Sequence, residues 1–243
     1  MKEGGKRHAF ILYEIAKLVK PGVSTQALED SARKLLKEDG DKGAFLNYTP
    51  RGAKRPYPAA LCVSVNNEIV HGIPNEKPRI LLDGDVVSLD LGLTHKGLIT
   101  DSAITVPVGK MKKEDEMMIK HCREALALGI KAAKGGGHVG DIGHAIESFV
   151  RPLGYGLCSG LAGHGVGYKV HEDPFVPNEG RVGQGELLKP GMVIAIEPMI
   201  TLGTDKIVLD SDGYTYKTAD GSNAAHFEHT VAITDGDPIV LTK

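Results

Sequence analysis

The chain reads as an α+β protein, with helices on one face of a mostly antiparallel sheet. Three observations predict this. Apolar residues recur at helical spacing in four segments. Alternating apolar strands come in consecutive runs, without the long crossovers of a parallel sheet. The same order of elements occurs twice, so the 243 residues form a single domain of two similar halves, about 1–110 and 111–243.

The first helix is expected from Phe10 to Lys20, with Ile11, Ile15, Leu18 and Val19 on one face and Pro21-Gly22 as its stop. A second helix begins at Val23-Ser24-Thr25, carries Leu28, Ala32, Leu35 and Leu36 as its apolar stripe, and closes near Gly40. The second half repeats the pair. Glu114 to Lys134 places Met118, Cys122, Ala125 and Leu126 inward and ends at Gly135-Gly136-Gly137. The next helix starts at Val139-Gly140-Asp141, turns Ile142, Ile146, Phe149 and Val150 inward, and closes at Pro152 and Gly154.

A strand region follows each pair. It carries Val70-His71-Gly72-Ile73-Pro74 in the first half and Val170-His171-Glu172-Asp173-Pro174 in the second, in matched settings. Each half then delivers an apolar strand from a glycine to an acid: Gly84 to Asp90, and Gly191 to Glu197. A second acid-bearing strand comes next, Asp101 to Thr105 and Glu228 to Thr234. Four carboxylates therefore fall on strands whose composition predicts burial.

Composition limits what the chain can do. The net charge of −2 supplies no bulk field toward DNA or a membrane surface. No apolar run approaches the ~20 residues that span a bilayer, and the N-terminal residues lead into an amphipathic stretch rather than a signal core. Three widely spaced cysteines, Cys62, Cys122 and Cys158, suit reduced thiols in the cytoplasm and exclude a full disulfide framework or a zinc ribbon. There is no P-loop and no Gly-x-Ser-x-Gly elbow.

The segment Val86 to Val106 reads as a hairpin. With His95-Lys96 as its two-residue loop, Asp90 faces Asp101 directly, and a bulge at Gly97 would slip that register by one. Two carboxylates so placed repel by roughly 3–4 kcal/mol even at an effective dielectric near 20. Raised pKa values, basic partners or metal could resolve this, and none of the four strands carries an Arg or Lys near the acids. Two divalent cations would neutralise four carboxylates, and oxygen ligands with one or two imidazoles suit Mn, Fe, Co or Zn. Gly163-His164-Gly165 offers an imidazole where the first half has Ser64, so His164 would serve one metal only.

Asp90, Asp101, His164, Glu197 and Glu228, in this order and spacing, resemble the metal-ligand set of the type I methionine aminopeptidases of peptidase family M24. The likeness runs over nearly the whole chain, through Cys62-Val63-Ser64-Val65-Asn66, His71-Gly72-Ile73-Pro74, Gly163 to Gly167, and Phe227-Glu228-His229-Thr230. The spacing between His164, Glu197 and Glu228 leaves no room for the helical insertion of the type II enzymes.

The resemblance implies a pseudo-twofold pita-bread fold, two divalent ions (Co, Mn, Fe or Zn), and removal of the N-terminal methionine from nascent chains in the cytoplasm by a monomer. It implies that Asp90 binds one metal, His164 and Glu197 the other, and that Asp101 and Glu228 bridge both. Glu197 would accept a proton from the attacking water. His171 would stabilise the oxyanion, and His71 would contact the peptide at the scissile bond. The methionine pocket maps onto Tyr57, Cys62, Val170 and Tyr214.

This sequence departs from many bacterial relatives at three positions. A larger residue is usual at Val170, a tryptophan at Tyr214 and a glutamine at His226. His226 is expected either beside the ligands or facing solvent. The loop from Thr49 to Pro56 is longer than usual and carries Arg51, Lys54 and Arg55, which reads as a solvated loop or as a contact for ribosomal RNA. Proline-specific relatives share the five ligands but usually carry a further N-terminal domain. A binding module of the same fold would have lost ligands, and a carboxylate-pair glycosidase would need neither His164 nor the repeat.

Overall fold

A computed structural model describes residues 1–38, 40–50 and 52–243. The first half contains α1 (Lys2–Lys17), α2 (Thr25–Glu38), β1 (Lys42–Gly43), β2 (Leu61–Val65), β3 (Glu68–Val70), β4 (Val86–His95) and β5 (Leu98–Pro107). The second contains α3 (Lys113–Ala132), α4 (Val139–Val150), β6 (Gly156–Leu157), β7 (Gly163–Gly165), β8 (Glu172–Val176), β9 (Val193–Ile196), β10 (Met199–Thr201), β11 (Ile207–Leu209), β12 (Tyr216–Thr218), β13 (Ala224–His226), β14 (Glu228–Ala232) and β15 (Ile239–Val240).

The principal sheet runs in the order β1-β4-β5-β14-β9-β7-β8, with β2 paired to β4 and β15 to β14. Its registered pairs are all antiparallel. Two three-stranded sheets, β13-β10-β6 and β11-β12-β3, flank it.

Side-chain alternation divides the principal sheet into two functional faces. Leu89, Leu91 and Leu93 of β4, Ile104 of β5, Ile194 and Ile196 of β9, and Val231 of β14 join Ile11, Ile15, Leu28, Met118, Ile142 and Ile146 of the helices in one core. The opposite face holds Asp90, Asp101 and Glu228. An acid strand with apolar neighbours is thus an amphipathic strand whose polar face lines a cleft rather than open solvent.

α1 begins at Lys2, well before the expected Phe10, and ends at Lys17 rather than Lys20. Its buried positions Gly4, Gly5, His8, Ala9, Ile11, Leu12 and Ile15 keep helical spacing through the charged start. Gly5 fits there because a Cβ would meet the Leu241 carbonyl oxygen at 2.1 Å, so helix and C-terminal segment touch through backbone. Leu18, expected on the inner face, lies past the helix and is exposed. α4 starts as expected, where the Asp141 carboxylate accepts a bond from the His138 backbone N–H at 2.7 Å.

The β4–β5 hairpin differs from its expected register. His95 pairs with Leu98, so the loop is Lys96-Gly97, with φ of 50° and 81°. Both central residues with positive φ define the type I′ turn that suits strand twist. Asp90 consequently lies opposite Ala103 and Asp101 opposite Gly92. The two acids share a face as diagonal neighbours, not as a direct pair.

Candidate metal centre and cleft

The acids arise from cross-strand order. β14 places Glu228 opposite Ala103, which itself lies opposite Asp90. Ile196 pairs with His229, so the residue after β9, Glu197, continues the same row beside Glu228. Asp90, Ala103, Glu228 and Glu197 thus cross four neighbouring chain segments. Strands ~4.8 Å apart put Asp90 and Glu228 roughly 10 Å from one another at Cα, with only the Ala103 methyl between them. Asp101, diagonal to both, reaches into that gap. Asp101, His164 and Glu228 each bring a ligand atom within 4.8 Å of the others.

Backbone bonds fix this arrangement. Thr230 Oγ1 donates to the Asp101 carbonyl at 2.7 Å and accepts from the Asp101 N–H at 2.7 Å. Ser102 Oγ donates to the Glu228 carbonyl at 2.7 Å, and Asn178 Nδ2 to that of Glu197 at 3.0 Å. The carboxylates themselves are left facing one another. Asp90 Oδ1, Asp101 Oδ1 and Glu228 Oε1 are buried without a hydrogen-bond partner. Buried polar atoms normally find partners, so a shared cation is the ligand that fits this group.

Electrostatics say the same. Burial, with Glu197 adding repulsion, raises Asp90 to about 7. Burial raises Glu197 to about 8. Asp101 is driven well above the usual range by burial and then by Asp90 and Glu197; Glu228 by burial and then by Asp101 and Glu197. Divalent cations would reverse these shifts by offering the charged forms a partner.

Histidines surround the acids. His164 Nδ1–H donates to the Gly165 carbonyl at 2.9 Å, which turns its Nε2 lone pair toward Glu197 Oε1, 3.5 Å away. Burial holds His164 down at about 3, with His171 contributing. His171 packs edge-on against His164 with ring centroids 4.4 Å apart. His71 is lowered to about 4 by burial and by His171. The two Val-His-x-x-Pro segments nevertheless differ in local structure. His71 follows β3 with φ at 61°, whereas His171 immediately precedes β8.

His226, two residues before Glu228, is buried with both ring nitrogens unpartnered, and its Nε2 lies 3.4 Å from Glu197 Oε2. The solvent-facing alternative is therefore wrong. Burial lowers this imidazole to about 4.

The cleft encloses about 560 Å³, its open mouth included. Tyr57, Cys62, His71, His171 and Tyr214 reach its walls together with all five acid and imidazole candidates. Val170 packs behind the wall, in a cluster with Phe45, Tyr57, Cys62 and Tyr214. Cys62 lies directly across from Asp90, and burial raises its thiol pKa, which suits an uncharged wall residue. Tyr57 donates to the Gly72 carbonyl at 2.8 Å and meets Tyr214 edge-on at 5.1 Å.

Sequence reasoning missed Phe45, Tyr48 and Pro50, which also line the cleft. The one available signal was that Tyr48 and Tyr57 bracket the long basic loop. They pair through backbone, with Tyr57 N–H donating to the Tyr48 carbonyl at 2.8 Å. Arg55 binds both carboxylate oxygens of Glu76, donates to the Asp212 carbonyl at 3.1 Å and lies 5.7 Å from the Tyr214 ring centroid. Arg51 lies outside the described residues.

Acids converging from four segments and an imidazole presenting its lone pair form a donor set that suits divalent cations, beside an apolar cleft. Residues 1–235 match the family model described as metallopeptidase family M24, and the chain belongs to that family. It is 49% identical over 237 residues to a methionine aminopeptidase of Aquifex aeolicus, covering 97% of this chain and 92% of the relative. It is 43% identical over 248 residues to methionine aminopeptidase 1 of Mycobacterium tuberculosis, covering 100% and 91%. The crystal structure of methionine aminopeptidase from Thermotoga maritima superposes with a TM-score of 0.95 at 40% identity, covering 100% of this chain and 95% of that one. The prolidase of Pyrococcus furiosus shares the fold, with a TM-score of 0.77 at 22% identity over 62% of its own chain. The architecture is the pita-bread fold.

Proposed function

We infer that this chain is a methionyl aminopeptidase, a metallo-exopeptidase that hydrolyses the bond after the N-terminal methionine of a polypeptide. The observation that carries the reading is the buried row of unpartnered carboxylates beside the Nε2 of His164, opening into an apolar cleft.

Asp90, Asp101, His164, Glu197 and Glu228 would hold two divalent ions from the set Co, Mn, Fe and Zn. Asp90 would serve one, His164 and Glu197 the other, and Asp101 with Glu228 both. Ions held there would supply Lewis acidity, giving a more acidic nucleophilic water and a polarised scissile carbonyl. Glu197 would accept the proton of the attacking water on its carboxylate. His171 donates a hydrogen bond to the developing oxyanion, and His71 contacts the peptide at the scissile bond. Tyr57, Cys62 and Tyr214, backed by Val170, take the methionine side chain, whose thioether suits an apolar wall with a soft sulfur neighbour.

The substrates are the N-termini of nascent chains, met by a monomer in the cytoplasm, with the 1–110 and 111–243 halves forming one catalytic domain. No helix of the described residues is long and apolar enough to cross a membrane. Ribosome contact through the 49–56 loop would use Lys54 rather than Arg55, because Glu76 already engages the latter.

Methionine release from Met-Ala-Ser in the presence of Mn²⁺ or Co²⁺, set against cleavage of an Xaa-Pro dipeptide, tests the reading. Methionine release with little Xaa-Pro cleavage is expected. Asp101→Asn should lower kcat/KM by about a thousandfold, or ~4 kcal/mol of transition-state stabilisation. Full activity in that variant would refute the shared-ligand role of Asp101.

A further inference from the structure

Two neighbouring histidines meet opposite kinds of hydrogen-bond partner. His164 Nδ1 faces a carbonyl, which can only accept, so the proton sits on Nδ1 and Nε2 presents a lone pair. His171 Nδ1 lies 2.9 Å from Tyr48 Oη, a group with a proton to give. No other described residue accepts a hydrogen bond from that hydroxyl. Desolvation raises the Tyr48 phenol above its ordinary pKa, so it keeps its proton at working pH. The His171 ring is further fixed by its edge-on contact with His164 and by Tyr48, whose ring centroid is 5.4 Å away.

We propose that Tyr48 is a positioning residue that locks His171 as the Nε2–H tautomer. The phenol donates to Nδ1, and the single proton of the neutral imidazole is thereby placed on Nε2, the nitrogen left for substrate. The opposite arrangement, Nδ1–H donating to the phenol oxygen, would leave Nε2 as a bare acceptor that repels an oxyanion. One face of the cleft thus holds two imidazoles of opposite polarity: His164 set to give a lone pair and His171 set to give a proton. The lock is built by the chain path, since the backbone bond between Tyr57 and Tyr48 holds Tyr48 at the cleft wall.

The proposal rests on the oxyanion role of His171 in the reading above, and the test separates the two. Zinc-loaded protein with ¹⁵N-labelled histidine would be compared with Tyr48→Phe by long-range ¹H–¹⁵N correlation, which distinguishes a protonated ring nitrogen from a bare one. The wild type should show His171 protonated at Nε2, and Tyr48→Phe should move proton density to Nδ1. Tyr48→Phe should also lower kcat for Met-Ala-Ser by about tenfold to a hundredfold with KM nearly constant, as for loss of an orienting partner. His171→Ala serves as the control. If it leaves kcat intact, the oxyanion role falls and the proposal with it. If His171→Ala lowers kcat but Tyr48→Phe leaves the tautomer unchanged, whatever its rate, the lock alone is overturned. A changed tautomer with an unchanged kcat also overturns it.

Discussion

His8 shows how a single buried group shapes stability. Its ring is fully buried on α1, with Nδ1 2.9 Å from Thr100 Oγ1, and desolvation followed by His229 lowers its pKa to about 3. The unfolded chain protonates near 6.5, so the folded state binds fewer protons below that pH. The associated stability is present above pH 6.5 and is lost as pH falls toward the folded value. His8→Gln retains a polar partner for Thr100 without a titrating ring. Its urea midpoint should fall less than that of the wild type between pH 7 and 4.5. Parallel curves for the two proteins would contradict this account. The same scale explains why His226 could not be placed from sequence: alternation aligned it with Glu228, but only packing decides whether that face meets water or a cleft.

At the scale of elements, the β4–β5 hairpin determines the geometry of the acids. A loop shifted by one residue, with its length unchanged, moves the partner of Asp90 by two positions, from the expected Asp101 to Ala103. The strands were legible from alternation and the loop from its Gly, yet two readings of a two-residue loop differ only in which residues take positive φ. Gly97, at 81°, is the residue that favours the observed one. A Cβ at Gly97 would meet nothing within 4 Å, so Gly97→Ala isolates the backbone cost. It should lose about 1–2 kcal/mol in urea unfolding. An unchanged stability would mean that the turn conformation does not set the register. The extended start of α1 was hidden for a related reason: two glycines and several charges mask a helix whose stability comes from docking on the sheet and on Leu241.

Across the whole molecule, four carboxylates are buried together, and the fold bears their repulsion. In the metal-free protein the folded state holds their protons more tightly than the unfolded state does. Raised folded pKa values, about 7 for Asp90 and about 8 for Glu197, mean that stability is lost as pH rises through those values. Burial holds His8, His71, His164, His226 and His229 well below their ordinary value, so these imidazoles stay neutral in the folded state over this range and do not offset the acids. Ions bound only by the folded state should offset this loss. The Tm increase on adding Mn²⁺ to chelator-treated protein should therefore be larger at pH 8.5 than at pH 6.5. An increase independent of pH would argue that the four acids are not the ligands.

The sequence by itself determined the four helices, the two rounds of acid-bearing strands, and the four acids and one histidine that the fold brings to a single cleft. These follow from local periodicity and from residue chemistry, which a chain carries in its order. Tertiary structure decided how the acids are spaced, since register depends on turn conformation and on neighbours distant in sequence. It also decided the environment of His226, the engagement of Arg55 by Glu76, and the approach of Tyr48 to His171. Those contacts join residues far apart along the chain, and no local pattern encodes which side chain closes on which when the chain folds around one cleft.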